Sequence, residues 1–139
     1  MKKTDIRTFT NGSQVLRVLY GHAEPMFFVD DVIKIGIIDN PQLAVHRAQE
    51  SRAAVFMKCQ VNYEGFGDKP YLFTNFRGAC AMAMSSFQDN PYQAAFSLRE
   101  ILDFVEHVFL GDIERDLGIE NGRRSEERRG EIETVKGGK

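Results

Sequence analysis

Residues 15–36 read VLRVLYGHAEPMFFVDDVIKIG, and the reading of this stretch decides the fold. Val15-Leu16-Arg17-Val18-Leu19-Tyr20 is β-branched and aromatic, a composition that suits a pleated, half-buried strand. Gly21-His22-Ala23-Glu24-Pro25 is polar and ends in Pro, so the chain turns. Met26-Phe27-Phe28-Val29 supplies a return strand. Asp30 and Asp31 follow at once, ahead of the apolar Val32-Ile33-Lys34-Ile35. An Asp in that place predicts a helix N-cap, and its charge suits the positive end of the helix dipole. Gly36 is expected to stop the helix.

The pattern extends in both directions. Upstream, Asn11-Gly12 is a strong hairpin signal, so residues 8–29 read as a small antiparallel meander. Downstream, Asp39-Asn40-Pro41 opens a second short helix with Pro in its first turn. That helix runs through Leu43, Ala44, His46, Arg47 and Ala48 to about Ser51. Two short helices joined by a tight connection outline a helix-turn-helix. Residues 54–63 are strand-like, 64–70 form a glycine-containing loop, and Tyr71-Leu72-Phe73-Thr74 is the partner strand. Asn75 is expected to cap a helix that reaches about Phe87 and carries the small-residue run Gly78-Ala79-Cys80-Ala81-Met82-Ala83-Met84. Asn90-Pro91 breaks the pattern, and a long helix follows from Tyr92 to about Leu110. Ala95, Leu98, Leu102, Val105 and Phe109 form its apolar stripe, with Phe96, Ile101, Phe104 and Val108 widening it. The stripe is broad for one domain to cover, which makes a homodimer an expectation.

The expected fold class is therefore α+β: a small antiparallel sheet, meander plus hairpin, packed with short helices and one long C-terminal helix. The expected domain covers residues 1–112. Residues 113–139 carry seven basic and seven acidic residues and no aromatic one, the composition of a mobile tail.

Composition narrows the function classes. The chain has 139 residues, enough for one domain of ordinary size. Apolar residues make up 42% and include 11 Phe, so a core can form without disulfides or metals. The net charge of −2 argues against a protein that simply coats nucleic acid. Cys59 and Cys80 lie in apolar stretches and read as reduced, buried thiols. No signal-peptide pattern follows the first residues, and no stretch approaches the roughly 20 apolar residues of a membrane span. A cytoplasmic protein with no membrane partner is expected.

The sequence holds no catalytic or metal-binding constellation of familiar spacing. His22, His46 and His107 form no HExxH or Cys-His pattern. Gly65-Phe66-Gly67-Asp68-Lys69 lacks phosphate-loop spacing, and Pro70 follows it. Ser85-Ser86 has no nucleophile elbow around it. The expectation is a binding protein, not an enzyme, that needs no cofactor. Its candidate DNA- or partner-binding residues are Gln42, His46, Arg47, Gln49 and Arg52 on or after the second short helix, with Lys58 and Arg77. If that helix entered a major groove, its outward residues Gln42, His46, Gln49 and Arg52 would meet bases or phosphates.

Residues 14–110 resemble the N-terminal domain of the BRO family, regulatory proteins of phages, prophages and large DNA viruses. The resemblance is carried by Glu24-Pro25-Met26-Phe27-Phe28-Val29-Asp30-Asp31-Val32, by Gly36, and by Asn40-Pro41 opening a helix with Arg47. Tyr71-Leu72-Phe73-Thr74-Asn75 leading into two further helices fits the same order. The resemblance implies an antirepressor-like regulator acting in the host cytoplasm on DNA, on a repressor or on another host complex. The alternative it leaves is a protein inhibitor from a mobile element that occludes a host defence or regulatory complex.

Overall fold

A computed structural model of the protein describes residues 4–87 and 90–109. Five strands and four α-helices appear in it: β1 (Ile6–Asn11), β2 (Gln14–Leu19), β3 (Met26–Phe28), α1 (Val29–Gly36), α2 (Pro41–Ala48), β4 (Phe56–Gln60), β5 (Pro70–Thr74), α3 (Phe76–Ser86) and α4 (Pro91–Phe104). The chain divides into two compact units, Met1–Phe104 and Val105–Lys139. The described part of the second is one π-helical turn, Val105–Phe109. The expected boundary at residue 112 and the expected tail lie outside the described residues.

The sheet is wholly antiparallel, in the order β1-β2-β3-β5-β4. This is the expected meander with the expected hairpin laid against its last strand. Asn11 ends β1, and Gly12 takes the positive φ of 63° that the tight turn demands. Side chains directly opposite one another across an antiparallel pair project to the same face. Leu19, Met26, Phe28 and Phe73 therefore share one face with Ile6, and Val61 closes over it. Phe66 and Tyr71 complete this cluster, with ring centroids 4.9 Å apart. On the other face Phe27 meets Phe76 of α3 edge to face at 6.3 Å. The helices form a chain of contacts in which α2 packs on α3, α3 on α4 and α4 on α1.

The two edges of the sheet approach each other at one end. Just beyond β4, Asn62 donates its N–H to Thr4 Oγ1 at 2.8 Å and its carbonyl accepts the Thr4 N–H at 3.1 Å. The backbone groups of Asn62 would otherwise extend an open edge.

The first helix corrects the sequence reading. It starts at Val29, two residues early, and its N-cap position is Phe28, whose side chain caps nothing. Asp30 and Asp31 sit inside the first turn. Asp31 is 2% exposed and accepts from Arg17 three times: from the backbone N–H at 2.8 Å, from Nε at 3.0 Å and from Nη2 at 2.8 Å. The reason is topological. The pairing of β2 with β3 stops at Val18 and Phe27, so the N–H of Arg17 is left without a ladder partner on that side. The carboxylate of Asp31 accepts that N–H where the strand has already become a helix. Hydrogen bonding to Asp31 also holds the Arg17 guanidinium charged still more firmly than usual, ahead of the opposing effect of burial. Its planar head lies 5.0 Å from the Phe28 ring and 5.3 Å from that of Phe66.

The helix stops at Gly36 as expected, but Gly36 does not supply the left-handed residue that follows. Ile37 does, at φ 51° and ψ 49°. Gly36 is small for another reason. A Cβ there would lie 2.8 Å from Ser97 Oγ and 3.0 Å from Ile101 Cδ1, so the glycine lets α1 approach α4. On α4 the buried residues are Ser97, Ile101 and Phe104, whereas Leu102, expected in the stripe, is exposed together with Phe96. Ile101 and Phe104, expected in the wider stripe, are on its buried side, where Gly36 of α1 meets Ser97 and Ile101. Among the described residues no helix is long and apolar enough to cross a membrane.

Two substitutions test this packing. Gly78 lies in the first turn of α3, where a Cβ would coincide with Thr74 Oγ1, itself donating to Val55 O at 2.9 Å. Gly→Ala inside a helix ordinarily gains about 1 kcal/mol, yet Gly78→Ala is expected to lose about 2 kcal/mol by overpacking. Urea denaturation reads the sign, and a stabilised variant would refute the contact. Ile37 is β-branched, left-handed and 62% exposed. Ile37→Gly is expected to raise stability by roughly 1 kcal/mol, because relief of the left-handed strain exceeds the entropy glycine adds. A lower melting temperature would contradict this.

Candidate functional site

The second short helix is built to show one face. Asn40 caps it, its side-chain Oδ1 accepting the Leu43 N–H at 3.3 Å, and Pro41 occupies the first turn. Ala44 and Ala48, four residues apart, are fully buried and bring α2 close to α3. The opposite face carries Gln42, His46 and Gln49, all exposed, at spacings of four and three. The sequence places these three correctly because helical periodicity alone separates them from the alanines.

The chain beyond α2 is held in place by Asn75. Its side chain is 1% exposed and engages all four of its hydrogen-bonding positions. Oδ1 accepts the Val55 N–H at 3.0 Å and the Gly78 N–H at 2.9 Å. Nδ2 donates to Ala53 O at 2.9 Å and to Glu24 Oε2 at 3.0 Å. The expected helix cap is thus present, and the same amide also ties down the α2–β4 connection and the β2–β3 turn. Ala53 holds a positive φ of 71°, which reverses the chain into β4.

Three of the candidate cations lie close in sequence to residues that Asn75 binds. Arg52 precedes Ala53, Arg77 precedes Gly78, and Lys58 lies along β4 from Val55. All three are exposed, and among the described residues none of them is in an ion pair. Lys58 sits in the middle of an edge strand, a common device against unwanted strand pairing. The strand itself is shorter than expected, five residues, because Asn75 holds Val55 and the chain ahead of it.

Arg47 stands apart from the other candidates. It is half-buried and donates from Nη1 to the Ser85 carbonyl at 3.2 Å, satisfying the C-terminal end of α3. With Leu43 it turns toward a cleft of about 620 Å3, bounded by the start of α2, the end of α3 and the start of α4. The sequence reading did not find this cleft. Its available signal was the repeated Asp-Asn-Pro at 39–41 and 89–91, which opens both helices. A second concavity of about 400 Å3 lies beside Arg17, Asp31 and Lys34.

Neither cysteine is in a disulfide, and both are half-buried. Burial pushes the Cys80 thiol up, against the weaker opposing charge of Arg77. That protonated, shielded sulfur is a poor nucleophile. Comparison with known protein families, with characterised proteins and with solved structures finds no match.

Asn75→Ala is expected to cost at least about 3 kcal/mol, since it removes a helix cap and leaves the Val55 N–H without its partner. Denaturant unfolding checks the magnitude. A loss below about 1 kcal/mol, the worth of a cap alone, would show that the amide does not join the three segments.

Proposed function

We propose that this chain is a non-catalytic regulatory binding protein that engages duplex DNA through the outer face of α2. The observation that carries the reading is the exposed set Gln42, His46 and Gln49, together with three exposed cations, Arg52, Lys58 and Arg77, that have no acidic partner among the described residues. Neutral amide side chains suit base edges, and unpaired cations suit phosphates. The resemblance to the BRO N-terminal domain supports the same surface and the same kind of regulator. The arrangement differs from the sequence reading in one respect. Arg47 faces away from the set, so the phosphate contacts fall to the cations around Asn75.

A second reading has its own observation. Ile37, Tyr92 and Phe96 are exposed, and the chain is acidic overall. These favour a protein partner, such as a repressor or a host defence complex, over a nucleic acid.

Fluorescence anisotropy of a labelled duplex across a salt series separates the two. Affinity is expected to fall steeply with salt, and Arg52→Ala and Arg77→Ala are each expected to reduce the logarithmic slope by about one. Gln49→Ala should weaken binding at selected sequences without changing the slope. No binding at low salt would rule out the DNA reading.

A further inference from the structure

The long helix α4 packs on α3 and α1, and its buried residues are Ser97, Ile101 and Phe104. Helical spacing puts Tyr92, Ala95, Phe96, Arg99, Leu102 and Asp103 on the opposite side, and all six are exposed. Tyr92 is 86% exposed, and Phe96 and Leu102 are 41% each. Leaving two aromatic rings and a leucine in water forgoes the stabilisation that burial of such side chains brings. They lie within about three turns of one helix, which makes them a patch and not scattered residues. The charged members of the face also lack partners. Among the described residues neither Arg99 nor Asp103 is in an ion pair. They stand four residues apart with the cation nearer the N-terminus, the less favourable order within one helix.

The order of side chains along the face indicates what fits it. Tyr92, Phe96, Arg99 and Asp103 follow one another at spacings of four, three and four, so they form one row. The row is two rings, then a cation, then an anion. Laid against a second copy running the opposite way, it is complementary to itself. Phe96 meets the second copy's Arg99, and a guanidinium is attracted to the face of a ring. Tyr92 meets the second copy's Asp103, and a phenol hydroxyl donates to a carboxylate. Both pairs have the same midpoint, between residues 97 and 98, so a single two-fold axis makes each of them twice. Ala95 and Leu102, beside the row, have their midpoint one residue further along and bring apolar surface together. A parallel copy would instead set Arg99 against Arg99 and Asp103 against Asp103, with like charges opposed.

We propose that the outer face of α4 is a homodimer interface, on which a second copy of this chain docks antiparallel through Tyr92, Phe96, Arg99 and Asp103. A face one helix wide covers less than the roughly 800 Å2 per partner of a standard interface, so the dimer is a reversible one. The inference is independent of the DNA reading, since the oligomeric state is measured without DNA.

Sedimentation equilibrium of the full chain at rising concentration is the test. The unaltered chain is expected to pass from monomer to dimer. Tyr92 is too exposed for its replacement to disturb the packing of the monomer, and thermal unfolding of dilute samples checks this. Tyr92→Glu and Tyr92→Lys lose the same ring and differ chiefly in the charge turned toward the second copy's Asp103. Tyr92→Glu opposes two acids and is expected to dimerise at least about tenfold more weakly than Tyr92→Lys, with the gap closing as salt is added. Arg99→Met keeps the apolar stem and is expected to weaken the dimer several-fold. A chain that stays monomeric at every concentration would overturn the proposal and leave the face to an unlike partner. So would equal association of the two Tyr92 variants, since neither charge would then face Asp103.

Discussion

The side-chain amide of Asn75 is buried where three connections of the chain meet, and every polar position on it is used. An amide in that environment is costly unless fully bonded, so the arrangement is all or none. Losing one partner would leave the others competing with water that cannot enter. The α2–β4 connection, the β2–β3 turn and the start of α3 are therefore held in one geometry. The cations at 52, 58 and 77 come from segments far apart in sequence. Two of them adjoin residues that this amide binds, Arg52 beside Ala53 and Arg77 beside Gly78.

A second buried polar contact joins the sheet to the helix layer. Asp31 is the only buried carboxylate among the described residues, and its charge is tolerated because Arg17 meets both of its oxygens. A buried acid without that partner would be strongly destabilising, and pairing with bidentate geometry removes most of the penalty. The pair also replaces a missing ladder bond, since the β2–β3 pairing ends before it can serve the Arg17 N–H. The short strand, the immediate start of α1 and the packing of the guanidinium on Phe28 and Phe66 are one solution to one local problem.

These two contacts leave α2 with two different sides to present. Its outer side is polar and unencumbered, and the proposed DNA contact lies there. Its inner side is divided. Ala44 and Ala48 pack on α3, while Leu43 and Arg47 turn into the cleft.

Much of the fold was legible in the sequence. Asn11-Gly12 fixes a hairpin because its backbone needs positive φ. Asn75 and Asn40 mark helix starts because their side chains reach an amide three residues on. The alternation of apolar residues defines meander and hairpin. Gln42, His46 and Gln49 were readable as one face from spacing alone. Each of these depends on neighbours within a few residues, which is information a sequence carries. The pairing of β3 with β5, the burial of Asp31 against Arg17 and the left-handed state of Ile37 were not legible. Neither was the turn of Arg47 away from the other candidates. An Asp near a helix start has a local role as a cap and a distant one as a partner, and only the length of β3 decides between them. Local geometry, written in the order of residues, settled the elements and their exposed faces. Packing in three dimensions settled which of those faces meet, because buried polar groups must find partners wherever the folded chain places them.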